Sequence, residues 1–281
     1  MFIKATVDQV KFLLRKRGTL CVFYILLLMV LANFIGNVME FQGKDVIQMY
    51  QPVKLLLLSY NRVNYNANAT LLLVQLYPLL VVCPAGFSLA KEYQSGQEVF
   101  MTARLGRQIY RLSKLVSAFL ATAIVFSVPF FIEIILNSLS FPWEAAGDFY
   151  NRSPYNMDYI QGVHNYFMSG IYLYSPWIYA VLGTFFFGMV SGIFGAFTVA
   201  FSSIIKIKYN VFLFLPVFLL LNSTVFLTEA FPAGARSIRW YDYLLMFNDE
   251  SKNYVFPAVG LLSILLFSVL AVQITGRKDC L

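Results

Sequence analysis

The stretch "KEYQSGQEVFMTARLGRQIYRLSK", residues 91–114, carries seven charged side chains in twenty-four positions. On either side lies a long interval with none, from Arg62 to Lys91 and from Lys114 to Glu133. A charge at the bilayer centre costs on the order of 3 kcal/mol on the insertion scale. Charge-free intervals therefore mark membrane spans, and the charged block between two of them marks a loop in water.

Working outward, further charge-free intervals run from Arg17 to Glu40, Asp158 to Lys206, Lys208 to Glu229 and Lys252 to Arg277. A helix needs roughly 20 apolar residues to cross the hydrocarbon core. The predicted spans lie near 19–38, 69–90, 115–138, 176–204, 210–228 and 255–275. This is an all-α integral membrane protein of six spans, with residues 1–281 in a single domain. Composition agrees: 59% of residues are hydrophobic and 12% charged, with mean hydropathy +0.68, where a soluble domain carries about a quarter charged. The abundant Phe and Tyr suit lipid-facing surfaces and interfacial belts. The first apolar run is too long for a signal peptide, and "LANFIGNVME" supplies no small-x-small cleavage site, so it reads as a retained span.

Lys and Arg counts set the orientation. An even number of spans puts both termini on one side, and that side holds 14 of the 21 Lys and Arg. They include Lys4, Lys11 and Arg15–Arg17 at the start, five in the 91–114 loop, Lys206, Lys208, Arg277 and Lys278. The positive-inside rule then places both termini and this loop in the cytoplasm. The net charge of +7 reflects that orientation. The basic residues sit beside apolar runs and form no separate domain, so nucleic acid is not an expected partner.

In residues 1–18, Ile3, Val7, Val10 and Leu14 recur at helical spacing, and Lys4, Asp8, Lys11 and Arg15 repeat it on the neighbouring stripe. That is the pattern of an interfacial elbow helix; the plainer alternative is a frayed basic leader. Three outer loops remain, near 39–68, 139–175 and 229–254. The aromatics of the middle loop read chiefly as interface anchors, with substrate contact as the alternative. The last loop, with "FPAGARSIRWYDYLL", suits a short helix on or in the outer leaflet.

Enzymatic motifs are missing. "GMVSG" at 188–192 is offset from a Gly-x-Ser-Gly setting, and the one histidine, His164, falls in an outer loop. HExxH is absent, a single His excludes sites needing two, and no metal site is expected. There is no GxxxxGK[ST], so an ATP-driven process would need a separate ATP-binding subunit. Cys21, Cys83 and Cys280 form no CxxC pair and read as unpaired packing residues.

Gly188 and Gly192 have GxxxG spacing, which permits close helix approach, within the chain or between subunits. Glu133 is a candidate intramembrane or interface carboxylate. It lies 19 residues beyond Lys114, about 28 Å along a helix, which places it near the outer headgroups. In the charged loop, Gly96 and Gly106 bracket a short helix from about Gln97 to Leu105. On a continuous helix Arg104, Arg107, Arg111 and Lys114 would form one basic stripe, which Gly106 interrupts. Physically this segment reads either as a helix shaped for a groove on another protein or as a basic loop that only sets orientation.

The elbow, the six spans, the loop pattern of Glu92, Gly96, Arg104, Gly106, Arg107, Tyr110 and Lys114, and an amphipathic stretch before the last span together resemble permease subunits of type-two ABC exporters. The resemblance implies that the 91–114 loop is a coupling helix docking into a cytosolic ABC ATPase, with Glu98, Phe100, Arg104 and Arg107 as candidate contacts. It also implies a second permease chain, identical or homologous, and ATP and Mg bound by the partner ATPase, this chain binding no cofactor and catalysing nothing. The chain would sit in a bacterial plasma membrane among lipid and export a peptide or hydrophobic compound by alternating access. The alternatives are a secondary transporter or channel, which calls for ionisable groups at mid-membrane, and a non-transporting immunity or scaffold protein.

Overall fold

A computed structural model describes residues 2–41, 51–60, 67–143, 166–205, 210–230, 239–248 and 254–278. Among them every regular element is helical. The order is α1 (Phe2–Leu14), α2 (Arg17–Phe41), α3 (Ala67–Val82), α4 (Gly86–Ser95), α5 (Gln97–Leu105), α6 (Arg107–Ser140), α7 (Ser169–Tyr174), α8 (Pro176–Ile204), α9 (Leu215–Ala230), α10 (Trp240–Leu244) and α11 (Val255–Lys278). Short 3₁₀ turns cover Pro52–Leu55 and Asn210–Phe214.

Among the described residues, five helical segments are long and apolar enough to cross a membrane: Arg17–Phe41, Asn68–Leu89, Arg107–Ser140, Pro176–Ile204 and Val255–Thr275. The protein is thus an all-α, multi-pass membrane protein. The segment expected to span at 210–228 instead begins as a 3₁₀ turn and continues as the 16-residue α9, in which Pro216 fixes the opening turn. Sixteen residues at about 1.5 Å each give about 24 Å, less than the roughly 30 Å hydrocarbon core. The second span is interrupted by a turn at Cys83, Pro84 and Ala85 between α3 and α4. His164, Cys280, Lys206 and Lys208 lie outside the described residues; Cys21 and Cys83 are free thiols.

The core forms where α3, α6 and α8 meet. Tyr77 packs its ring 5.7 Å from Phe126, 5.6 Å from Phe187 and 6.3 Å from Phe194, and its hydroxyl pairs with Ser191 Oγ at 3.0 Å. Helix α8 starts at Pro176, with the Ser175 side chain accepting from the Ile178 N–H, an N-cap followed by proline at the first position. Helices α6 and α8 lie against each other along the small residues of α8. A Cβ on Gly188 would lie 1.8 Å from Ser127 Oγ, and one on Gly192 would lie 2.8 Å from the Phe119 carbonyl. The GxxxG pair is therefore packed within the chain.

Helix α1 is joined to the bundle by Ser117 Oγ donating to Gln9 Oε1 at 3.1 Å, and the start of α2 by Thr19 Oγ1 donating to the Pro84 carbonyl at 3.2 Å. Thr6, Gln9 and Leu13 face inward, while Ile3 and Val7 are exposed. Two members of the elbow's apolar stripe, Ile3 and Val7, thus point away from the protein, as a helix lying in an interface requires, while Leu14 packs against the core.

Candidate functional site

Helix α5 is isolated by geometry. Gly96 has φ 70 and ψ 3, and Gly106 has φ 77 and ψ 143. Both lie in the positive-φ half of backbone space, which glycine adopts most readily, so the chain turns sharply at each end of a nine-residue helix. The two glycines read from sequence as breaks occupy those turns.

Behind α5 stands a brace that sequence reasoning missed. Arg111 Nη2 donates to Glu98 Oε1 at 3.3 Å. On either side of Arg111 along α6, Lys114 Nζ and the Tyr110 hydroxyl both donate to the Glu92 carboxylate of α4. The side chains of Arg111 and Lys114 are each 2% exposed. The four basic residues, which Gly106 was expected to interrupt, do not share one face. Arg111 and Lys114 turn inward to acidic partners, Arg107 is half-buried, and Arg104 is exposed. Glu98 also faces inward, so of the four residues assigned to docking it serves as a tie between α5 and α6.

The outward face of α5 presents Val99 and Phe100, the latter 76% exposed, together with Arg104. Exposed apolar groups thus stand next to Arg104 on a helix that is tied to α6 on its other face. A cleft of about 540 Å³ separates α5 from α1, lined among others by Lys4, Asp8, Phe12, Phe100, Met101 and Arg104.

Glu133 lies near the far end of α6 and is only 1% exposed. Its Oε1 accepts from Asn33 Nδ2 at 2.7 Å and from the Leu57 N–H at 2.8 Å. Asn33 and Asn37 both donate to the Leu55 carbonyl, at 2.9 and 2.8 Å, and Thr70 Oγ1 donates to the Leu57 carbonyl at 3.0 Å. Residues 52–59, expected within an outer loop, are therefore buried in the bundle. Glu133 sits there as an anchor for that segment's backbone, buried inside the protein. The sequence signal was Asn33 and Asn37, four residues apart in an otherwise apolar helix.

Aromatics of the other loops also turn inward. Tyr166, Tyr172, Trp240 and Tyr243 are buried, whereas Trp143 and Tyr174 stay exposed as anchors would. Among the described residues no group of three or more His, Cys, Asp or Glu side chains is placed to hold a metal ion. No protein-family model, curated protein or solved structure matches the chain.

Proposed function

We propose that this chain is the membrane-spanning permease subunit of an ATP-driven exporter of the type-two ABC class. In this reading α5 is the coupling helix that docks on a separate cytosolic ATPase, which binds the ATP and Mg. The observation that carries the reading is the pairing of an exposed apolar-basic face, Val99, Phe100 and Arg104, with the buried Glu98–Arg111 and Glu92–Lys114 ties behind it. A loop that only set orientation would need neither. Because the ties end on α6, movement of α5 passes into the helix that also holds Glu133 at its other end. ATP binding shifts the permease only if α5 binds the ATPase with different free energy in the two states.

The 3₁₀ turn and α9 together complete a sixth crossing, so both termini and α5 face the cytoplasm of a bacterial cell. A second permease chain, identical or homologous, completes the pathway in the plasma membrane. The cargo is a peptide or hydrophobic compound carried outward. The buried Glu133, with Oε2 lacking a partner among the described residues, favours a second reading, an ion-coupled carrier, in which the carboxyl group would bind the coupling ion.

The test is co-purification of the tagged chain in mild detergent. An ATPase is expected with the parent chain and is expected to be lost in Arg104→Glu and Phe100→Ala. Recovery of no ATPase under conditions that preserve ABC complexes overturns the reading. Transport by the chain alone in vesicles, driven by an ion gradient and lost in Glu133→Gln, establishes the carrier instead.

A further inference from the structure

The cleft between α1 and α5 has the make-up of a small-ligand site. Its volume of about 540 Å³ lies within the range of about 300–1,000 Å³ typical of such pockets. Phe12 of α1 and Phe100, Met101 and Leu105 of α5 give it apolar walls. Five charged groups from four helices line it as well. At its base Glu92 and Lys114 pair with each other, and the Tyr110 hydroxyl donates to the second Glu92 oxygen. That leaves Lys4 and Asp8 on α1 and Arg104 on α5, all three exposed and, among the described residues, in no ion pair. Two cations against one carboxylate leave one positive charge uncompensated, and the cations stand on different walls.

A second, independent observation points the same way. Gln9 lines the cleft and is 7% exposed. Its Oε1 accepts from Ser117 Oγ at 3.1 Å, which fixes the orientation of the amide. Its Nε2 has no hydrogen-bond partner among the described residues. A buried donor left unmatched costs free energy that an acceptor brought to it recovers. The base of the cleft therefore lacks an acceptor, and its rim lacks a negative charge.

We propose that this cleft binds an amphiphilic monoanion, a single-chain alkyl carboxylate. The chain lies against Phe12, Phe100 and Met101, and the carboxylate accepts from Lys4 and Arg104, with the Gln9 amide as the donor nearest the base. One carboxylate brings Lys4, Asp8, Arg104 and the ligand together to neutrality, which neither a cation nor a dianion does. A bound carboxylate also joins α1 to α5 across the cleft. In the exporter reading it would hold the coupling helix against the elbow, a step that rests on that reading. The site itself stands without it, and its test uses no ATPase, so the two can fail separately.

The experiment uses the full chain in phosphatidylcholine nanodiscs with a trace of diazirine-bearing decanoate, photolysed and mapped by mass spectrometry. Label is expected on residues 4–12 and 97–105. Excess decanoate should suppress it there, whereas decanol and decyltrimethylammonium, the neutral and cationic analogues, should not. Lys4→Gln and Arg104→Gln should each lower the labelling several-fold, and Asp8→Asn, which removes the one opposing charge, should raise it. Label spread evenly over the lipid-facing helices, equal suppression by decanol, or no rise in Asp8→Asn overturns the proposal. So does selective loss of the label from these two segments in phosphatidylglycerol nanodiscs, which would make a phospholipid the occupant. Should the cation variants fail to fold, competition on the parent chain decides in the same terms.

Discussion

Asn33 and Glu133, one hundred positions apart in sequence, meet inside the bundle where Asn33 Nδ2 donates to Glu133 Oε1 at 2.7 Å. The same oxygen takes the Leu57 N–H, so one acceptor joins α2, α6 and the buried segment. Glu133→Gln keeps a carbonyl oxygen at that position and is expected to cost little. Glu133→Ala removes the acceptor, orphans a buried backbone donor and leaves a cavity, for a loss of about 3 kcal/mol. Limited trypsin digestion read by mass spectrometry should show cleavage after Lys54 in Glu133→Ala and not in Glu133→Gln. Equal cleavage of the two variants would contradict the anchoring role.

The glycines that bound α5 differ in what they demand. Nothing lies within 4 Å of a Cβ built on either one, so substitution there tests backbone conformation alone. Gly106→Ala must hold φ 77 with ψ 143, a combination almost closed to other residues, and should cost about 2–3 kcal/mol. Gly96→Ala, at φ 70 and ψ 3, enters the left-handed helical well and should cost about 1 kcal/mol. Thermal unfolding followed by circular dichroism should rank Gly106→Ala below Gly96→Ala, with Gly96→Asn close to the parent.

The glycines of α8 make a different demand. A Cβ at Gly188 first meets a side chain, Ser127 Oγ, whereas one at Gly192 first meets a backbone carbonyl, that of Phe119. Each alanine substitution should cost about 1–3 kcal/mol through overpacking. Adding Ser127→Ala should recover part of the loss for Gly188→Ala and none for Gly192→Ala. Recovery in both, or in neither, would mean that the helices part in some other way.

Behind α5, Glu98→Gln removes the charge that Arg111 meets and should loosen the helix without unfolding the bundle. A buried pair broken on one side typically loses about 3 kcal/mol, and the partial exposure of Glu98 reduces this to about 1–2 kcal/mol. Hydrogen exchange is the direct measurement: amides of Gln97–Leu105 should exchange faster while those at the centre of α6 do not change.

Much of this architecture was legible beforehand because lipid imposes simple rules. The predicted span 176–204 coincides with α8 because Pro176 can begin a helix but not continue one, and the charge-free interval covers it. Gly96 and Gly106 marked α5 because no other pattern in the loop required them. The segment Gln51–Tyr60 falls within the predicted outer loop 39–68, which lies between two charge-free intervals and carries Lys54. What buries it comes from residues far away in sequence: two asparagines on α2, a carboxylate on α6 and the aromatic ring at Phe247. Periodicity reports the neighbours of a residue along its own helix, whereas these partners arrive only through the tertiary fold. The run Leu55–Leu58 was the one local sign that this loop does not sit in water. The inward turn of Glu98, Arg111 and Lys114 was hidden for the same reason, because each pairs with a charge on a different helix.

One consequence of α6 concerns leverage. From Arg107, where α5 joins it, to Glu133 it is a single helix, 26 residues at about 1.5 Å, or about 39 Å long. Tilting such an arm by about 5° displaces its far end by about 3 Å, comparable to the entire length of the hydrogen bonds made there. A tilt of that size is therefore enough to pull Glu133 away from the Leu57 N–H, provided that α8, which packs on α6 at Phe119 and Ser127, moves with it. Pro129, four residues short of Glu133, breaks the backbone ladder at the place where such an arm would flex.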